Sequence, residues 1–64
     1  MKAKIVNVPG PLNGVDVEII GISFDVRPQP GTIYIIERLD GQLFSYPTGE
    51  QYKAMGLTGS CLQF

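Results

Sequence analysis

The chain has 64 residues, which is enough for one small domain and leaves no room for a separate catalytic domain. Hydrophobic residues make up 44% of it and its formal charge is -1, which predicts a folded core and argues against binding to duplex nucleic acid. Histidine is absent and there is a single cysteine, which excludes histidine-based catalysis, a tetrahedral zinc site and an intramolecular disulfide.

A first strand is predicted over residues 2 to 8 and a long second strand over residues 15 to 26. In the second strand, the alternation of apolar and polar residues slips by one position at Ile19 and Ile20. A straight strand keeps one parity on one face, so the slip predicts a β-bulge or sharp bend near Gly21. A long strand that bends in this way can serve two sheets of a small barrel.

Charged residues of these two strands have matching spacing: Lys2 and Lys4 on the first, Asp16 and Glu18 on the second. We expect the lysines to pair with the carboxylates across the strands, as oppositely charged neighbours do. A phosphate site at the lysines or a cation site at the carboxylates is a weaker interpretation, because no further charges of the same sign lie nearby in the sequence.

A third strand, residues 32 to 39, and a fourth, residues 42 to 46, are predicted to form a hairpin through Asp40-Gly41. Two registers are open. With a two-residue loop, one face carries Ile33, Ile35, Glu37, Leu39, Phe44 and Tyr46. With a three-residue loop, which segregates charge better, one face carries Tyr34, Ile36, Phe44 and Tyr46, with Arg38 and Gln42 near the turn.

The segment from residue 48 to residue 56 has the one helical signal. Thr48 and Gln51 fit a capping box, and Gly56 fits the left-handed position after a helix. A short last strand is predicted over residues 60 to 64.

This order of elements resembles the SH3-like small barrel: five strands, a long bent second strand and one short helix before the last strand. The resemblance implies a mainly β, five-stranded barrel formed by residues 1 to 64 as a single domain. The chain has no tryptophan and no acidic loop cluster, so the proline-rich ligands of SH3 domains are not implied. An OB-like barrel is less suitable, because its helix would interrupt the Asp40-Gly41 hairpin.

Aromatic residues are the remaining candidates for function, although most must fill the core. Tyr34 and Tyr46, close to Phe44 and with Arg38 at the edge, are predicted to form a binding surface, and Arg27 is a second candidate anchor for a partner or ligand. We expect a non-enzymatic interaction module, an accessory or inhibitor-type protein of the sort found in compact bacterial or viral genomes.

The module is expected to bind another protein, or itself as a homo-oligomer, through an exposed strand edge or the Tyr34/Tyr46 surface. The alternative is a small-molecule or nucleotide binder with a pocket between subunits. Stacking of single-stranded nucleic acid on the tyrosines is weaker, because positive charge is scarce. No cofactor, metal or membrane partner is expected, and cytosolic residence is the simplest interpretation.

Overall fold

The computed structural model describes residues 1–23 and 27–64, so the end of the predicted second strand, Phe24 to Val26, lies outside the described residues. The strands are β1 (Lys2–Ile5), β2 (Asp16–Ile22), β3 (Ile33–Arg38), β4 (Phe44–Ser45), β5 (Gln51–Tyr52), β6 (Ala54–Thr58) and β7 (Leu62–Gln63), with a 3-10 turn at Gly59–Cys61. Five of them form an antiparallel sheet in the order β6-β3-β2-β1-β7, and β4 pairs with β5.

The predicted fold class is confirmed: the chain is mainly β, with a five-stranded antiparallel sheet and one short helical turn before the last strand. The sheet is curled into a half-barrel. Its concave side, with Phe44 from the β4–β5 hairpin, holds the core. The buried apolar side chains are Ala3, Ile5, Val17, Tyr34, Ile36, Phe44 and Leu62.

The predicted bulge in the second strand is confirmed. Ile19 pairs with Ile36 of β3, but the next pair joins Gly21 to Ile35, so Ile20 has no partner. A bulge of this kind bends a strand and increases its twist. Ile20 is half exposed as a result, and the sheet curls beyond it.

The predicted register of these charges is also confirmed, and of the two expected ion pairs the one between Lys4 and Asp16 forms. Lys2 lies opposite Glu18 and Lys4 opposite Asp16, with 3.2 Å between Lys4 Nζ and Asp16 Oδ1. The amino group of Met1 lies 3.2 Å from Glu18 Oε1. These side chains are between one third and two thirds exposed, so each pair contributes no more than about 1 kcal/mol.

The predicted hairpin between β3 and the fourth strand is wrong in both registers. The chain does turn at residues 38 to 41, where the Gly41 N–H donates to the Arg38 carbonyl, but β4 then leaves the sheet. Asp40 holds this turn by accepting from the Arg38 guanidinium and from the Gln42 N–H. The edge of β3 is taken instead by β6, which places Met55 and Leu57 beside the buried side chains of β3 on the core side.

The predicted helix over residues 48 to 56 is wrong as well. Tyr46 donates its N–H to the Glu50 carbonyl, and Gly49 donates its N–H to the Tyr46 carbonyl, closing a three-residue loop over 47–49. Gly49 has φ +83°, as the left-handed last position of such a loop requires. The helical turn lies later, at Gly59–Cys61, and its preceding residue Thr58 makes no side-chain capping bond.

Candidate functional site

Two of the predicted site residues, Tyr34 and Phe44, belong to the core and not to a binding surface. Tyr34 has no exposed area, and its ring makes an edge-to-face contact with Phe64 at 5.1 Å between centroids. The Tyr34 hydroxyl donates to the Arg27 carbonyl at 2.9 Å and accepts from the Gln29 N–H at 3.1 Å. The predicted Tyr34/Tyr46 surface is therefore wrong, because Tyr34 anchors the loop before β3 from within the core.

The two predicted arginine anchors lie apart. Arg38 forms a bidentate ion pair with Asp40, with Nη2 at 2.7 Å from Oδ2 and Nε at 3.1 Å from Oδ1. The Arg38 guanidinium lowers the pKa of the Asp40 carboxyl by this hydrogen bonding, so the pair stays charged. Arg27 is exposed in the loop before β3, and its carbonyl is the group that Tyr34 binds.

Tyr46 is exposed, as predicted, but its neighbour is Tyr52, which the sequence reasoning missed. Their rings lie edge to face, 4.9 Å between centroids and 83° between planes, and both are about two-fifths exposed. The Tyr52 hydroxyl donates to the Glu50 carboxylate, and this bond raises the pKa of Tyr52. The signal for this pair was the Pro47-Thr48-Gly49 sequence, which is typical of a hairpin loop between Tyr46 and Tyr52.

The outer edges of the five-stranded sheet differ in length and composition. At one side stands β7, two residues long, and a strand this short gives another chain little to pair with. At the other side stands β6, with the sequence Ala-Met-Gly-Leu-Thr. No strand within the described residues pairs with the outer edge of β6, and the strand has no lysine, proline or bulge of the kind that blunts sheet edges.

The register shows which backbone groups of β6 point outward. Gly59 donates its N–H to the Thr32 carbonyl at 3.0 Å, and Ser23 donates to the Ile33 carbonyl at 2.9 Å. Antiparallel strands alternate hydrogen-bonded and non-bonded pairs, so Ile33 bonds toward β2 and its partner Thr58 does not bond toward β3. By the same alternation, the N–H and C=O groups of Ala54, Gly56 and Thr58 face the open edge.

The two faces of β6 have different surroundings. Met55 and Leu57 are partly buried and pack against the core. Gly56 is exposed on the outer face, where Ile33 and Ile35 lean over it: a Cβ on Gly56 would lie 3.2 Å from Ile33 Cγ2 and 3.6 Å from Ile35 Cδ1. The centre of β6 therefore carries no side chain of its own on the outer face, and the isoleucines of β3 occupy the space above it.

An open groove of about 430 Å³ lies at the other end of the sheet. Half-exposed Leu39 and Phe64 border it together with Lys4 and Asp16, which are already paired with each other. In the ranges 1–23 and 27–64, no three acidic or cysteine side chains are grouped closely enough to hold a metal ion. Nor does any helix in these ranges have the length and apolar character to cross a membrane.

Comparisons of the chain with protein-family models, with curated proteins and with solved structures found no match.

Proposed function

We propose that the chain is a non-enzymatic interaction module that binds a protein by adding a strand of that partner to the open edge of β6. The layout we propose for it is an SH3-like barrel, of which the curled sheet and the long, bulged β2 are the supporting features. Cytosolic residence is part of the proposal, because a single cysteine leaves no pair for an internal disulfide.

The outward backbone groups of β6 are the observation that carries the proposal. Ala54, Gly56 and Thr58 offer alternating donors and acceptors to a strand laid alongside. Each hydrogen bond contributes about 0.5 to 1.5 kcal/mol in net terms, so the row favours the addition of a strand without any catalytic or charged residue. Side chains that contact Met55 and Leu57 would supply the selectivity.

The exposed tyrosine pair supports the same location. Only Lys53 separates Tyr52 from the first residue of β6, so Tyr46 and Tyr52 stand on the hairpin that leads into the open edge. Exposed tyrosines are common anchors in protein interfaces, because the ring gives contact area and the hydroxyl gives a hydrogen bond.

The experiment uses a substitution that removes one edge donor and leaves the internal bonds of the sheet. Thr58 has φ -73° and ψ 156°, values that proline adopts, and its N–H faces outward. Thr58→Pro therefore blocks the edge. Thr58→Val is the matched control, because it also loses the side-chain contacts of Thr58 with Ser60 and Cys61 but keeps the N–H.

The wild type, Thr58→Pro and Thr58→Val are immobilised and exposed to a cell lysate. Hydrogen exchange then shows whether a captured protein protects the amides of residues 54, 56 and 58 of this chain. We expect a protein that the wild type and Thr58→Val retain, that Thr58→Pro releases, and that protects these amides. Equal retention by Thr58→Pro, or protection confined to other strands, would show that β6 is not the binding edge.

A further inference from the structure

We infer that the partner at the open edge of β6 is a second copy of this chain, paired antiparallel about a two-fold axis at Gly56. The inference rests on the function proposed above and names the partner for that edge. This pairing joins two curled sheets into one continuous sheet through the β6 strands. It is an isologous contact, in which the same residues serve both copies.

The backbone of β6 is complementary to itself in this arrangement. With the axis at Gly56, each Ala54 lies opposite Thr58 of the other copy, and the two glycines lie opposite each other. These are the residues whose N–H and C=O groups face outward, so all three pairs are of the hydrogen-bonded kind and make about six bonds. A two-fold axis at Met55 or Leu57 would leave only two such hydrogen-bonded pairs within β6, and an axis between two residues would set outward-bonded residues opposite inward-bonded ones.

The side chains of β6 also suit a second copy. On the core side, Met55 of each copy lies opposite Leu57 of the other, in the pairs where side chains come closest. Both are partly buried in the single chain, and each would cover the remaining exposed part of the other. On the outer face, the facing glycines leave room for Ile33 and Ile35, which already lean over Gly56.

Charge repulsion does not oppose the pairing of two copies through β6. No charged side chain lies between residues 54 and 58, and Lys53 of one copy would lie opposite Gly59 of the other. The formal charge of -1 leaves little long-range repulsion between copies. A domain of this size buries a small core, so the added apolar contact also stabilises each copy.

The register allows a charge test with matched variants. In Ala54→Lys/Thr58→Lys, lysine faces lysine across the two-fold at both outer pairs, and the formal charge becomes +1. In Ala54→Lys/Thr58→Glu, lysine faces glutamate at the same positions, and the formal charge stays at -1. Both variants place a lysine beside Glu37, the β3 partner of residue 54, so their intrachain surroundings match at this position.

The measurement is sedimentation velocity from micromolar to millimolar protein, with circular dichroism to check the fold of each variant. We expect a concentration-dependent dimer for the wild type and for Ala54→Lys/Thr58→Glu, and a monomer for Ala54→Lys/Thr58→Lys. Thr58→Pro should raise the dimer dissociation constant about tenfold or more, whereas Thr58→Val should change it less than about twofold.

A wild type that stays monomeric at millimolar concentration overturns the second copy as partner. So does a dimer that survives both Thr58→Pro and the lysine pair, because it must then use another surface. Neither result by itself removes strand addition at β6: a lysate protein released by Thr58→Pro from a monomeric wild type would support the proposed function and refute only the self-pairing.

Discussion

Gly59 offers the most direct test of how the end of β6 is held. It follows β6 directly, and a Cβ placed on it would lie 2.1 Å from the Gln29 carbonyl oxygen and 2.7 Å from the Gln29 carbonyl carbon. Both atoms belong to backbone and not to a movable side chain. An ordinary contact of a Cβ begins at about 3.4 Å, so Gly59→Ala forces the loop before β3 and the 3-10 turn apart by about 1 Å.

Overpacking of this kind costs about 1 to 3 kcal/mol, a large part of the stability of a small domain. Since about 1 kcal/mol shifts the midpoint of a domain of this size by 4 to 8 °C, we expect Gly59→Ala to unfold on the order of 5 to 20 °C below the wild type. The assay is thermal and urea unfolding followed by circular dichroism, at one fixed protein concentration because dimerisation would add to stability.

Gly21→Ala is the matched control. A Cβ on Gly21 would meet Ile35 side-chain atoms at 3.5 Å, an ordinary contact, and Gly21 lacks the positive φ that alanine avoids. We expect its free energy of unfolding to exceed that of the wild type by up to about 1 kcal/mol, because alanine lowers the conformational entropy of the unfolded chain. If Gly59→Ala unfolds no earlier than Gly21→Ala, the packing of the loop against the turn is not as described.

Two further predictions concern tyrosine hydroxyls. Tyr34→Phe removes both hydrogen bonds to the loop 27–29 and should lower the free energy of unfolding by about 1 to 3 kcal/mol, whereas Tyr46→Phe at an exposed ring should change it by less than about 0.5 kcal/mol in urea titrations; equal losses would contradict the anchoring role. Because Tyr52 donates to Glu50, its neutral form is favoured, so this stabilisation is present below the unfolded pKa of about 10 and is lost as pH rises through the higher folded pKa. Carbon NMR of the tyrosine rings should show Tyr52 titrating above pH 10 and returning toward 10 in Glu50→Ala; an unchanged midpoint would rule out the hydrogen bond as the cause.

The features that were predicted correctly are those that neighbouring residues decide. The bulge follows from the change of parity at Ile19 and Ile20, which no straight strand can accommodate. The pairing of Lys4 with Asp16 follows from the spacing of charges on two strands that are adjacent in the chain. In both cases the relevant physical interaction is visible within one or two elements.

The features that were predicted wrongly depend on competition between distant segments. The Asp40-Gly41 turn exists, but the edge of β3 is occupied by β6, which comes later in the chain and packs Met55 and Leu57 against the core. The Thr48 capping signal competed with a hairpin loop, and pairing of β4 with β5 decided between them because Phe44 is then held in the core. Tyr46 was predicted as a surface residue because its segment was recognised as a strand. Tyr52 was missed because its segment was predicted to be a helix and not the second strand of the same hairpin.

The open edge of β6 is notable because a single proline at residue 58 would block it with little loss of stability. The backbone angles at Thr58 accept proline, and an outward N–H there takes no part in the bonding to β3, so a proline would blunt the edge without removing an internal hydrogen bond. Threonine stands there, and its hydroxyl contacts Ser60 within the 3-10 turn. Gly59 then fixes the direction of the chain directly after the edge by packing against Gln29. An edge that is held in place at its end and left unblocked along its length is suited to receiving a strand, and the thermal test of Gly59 and the edge test of Thr58 examine those two properties separately.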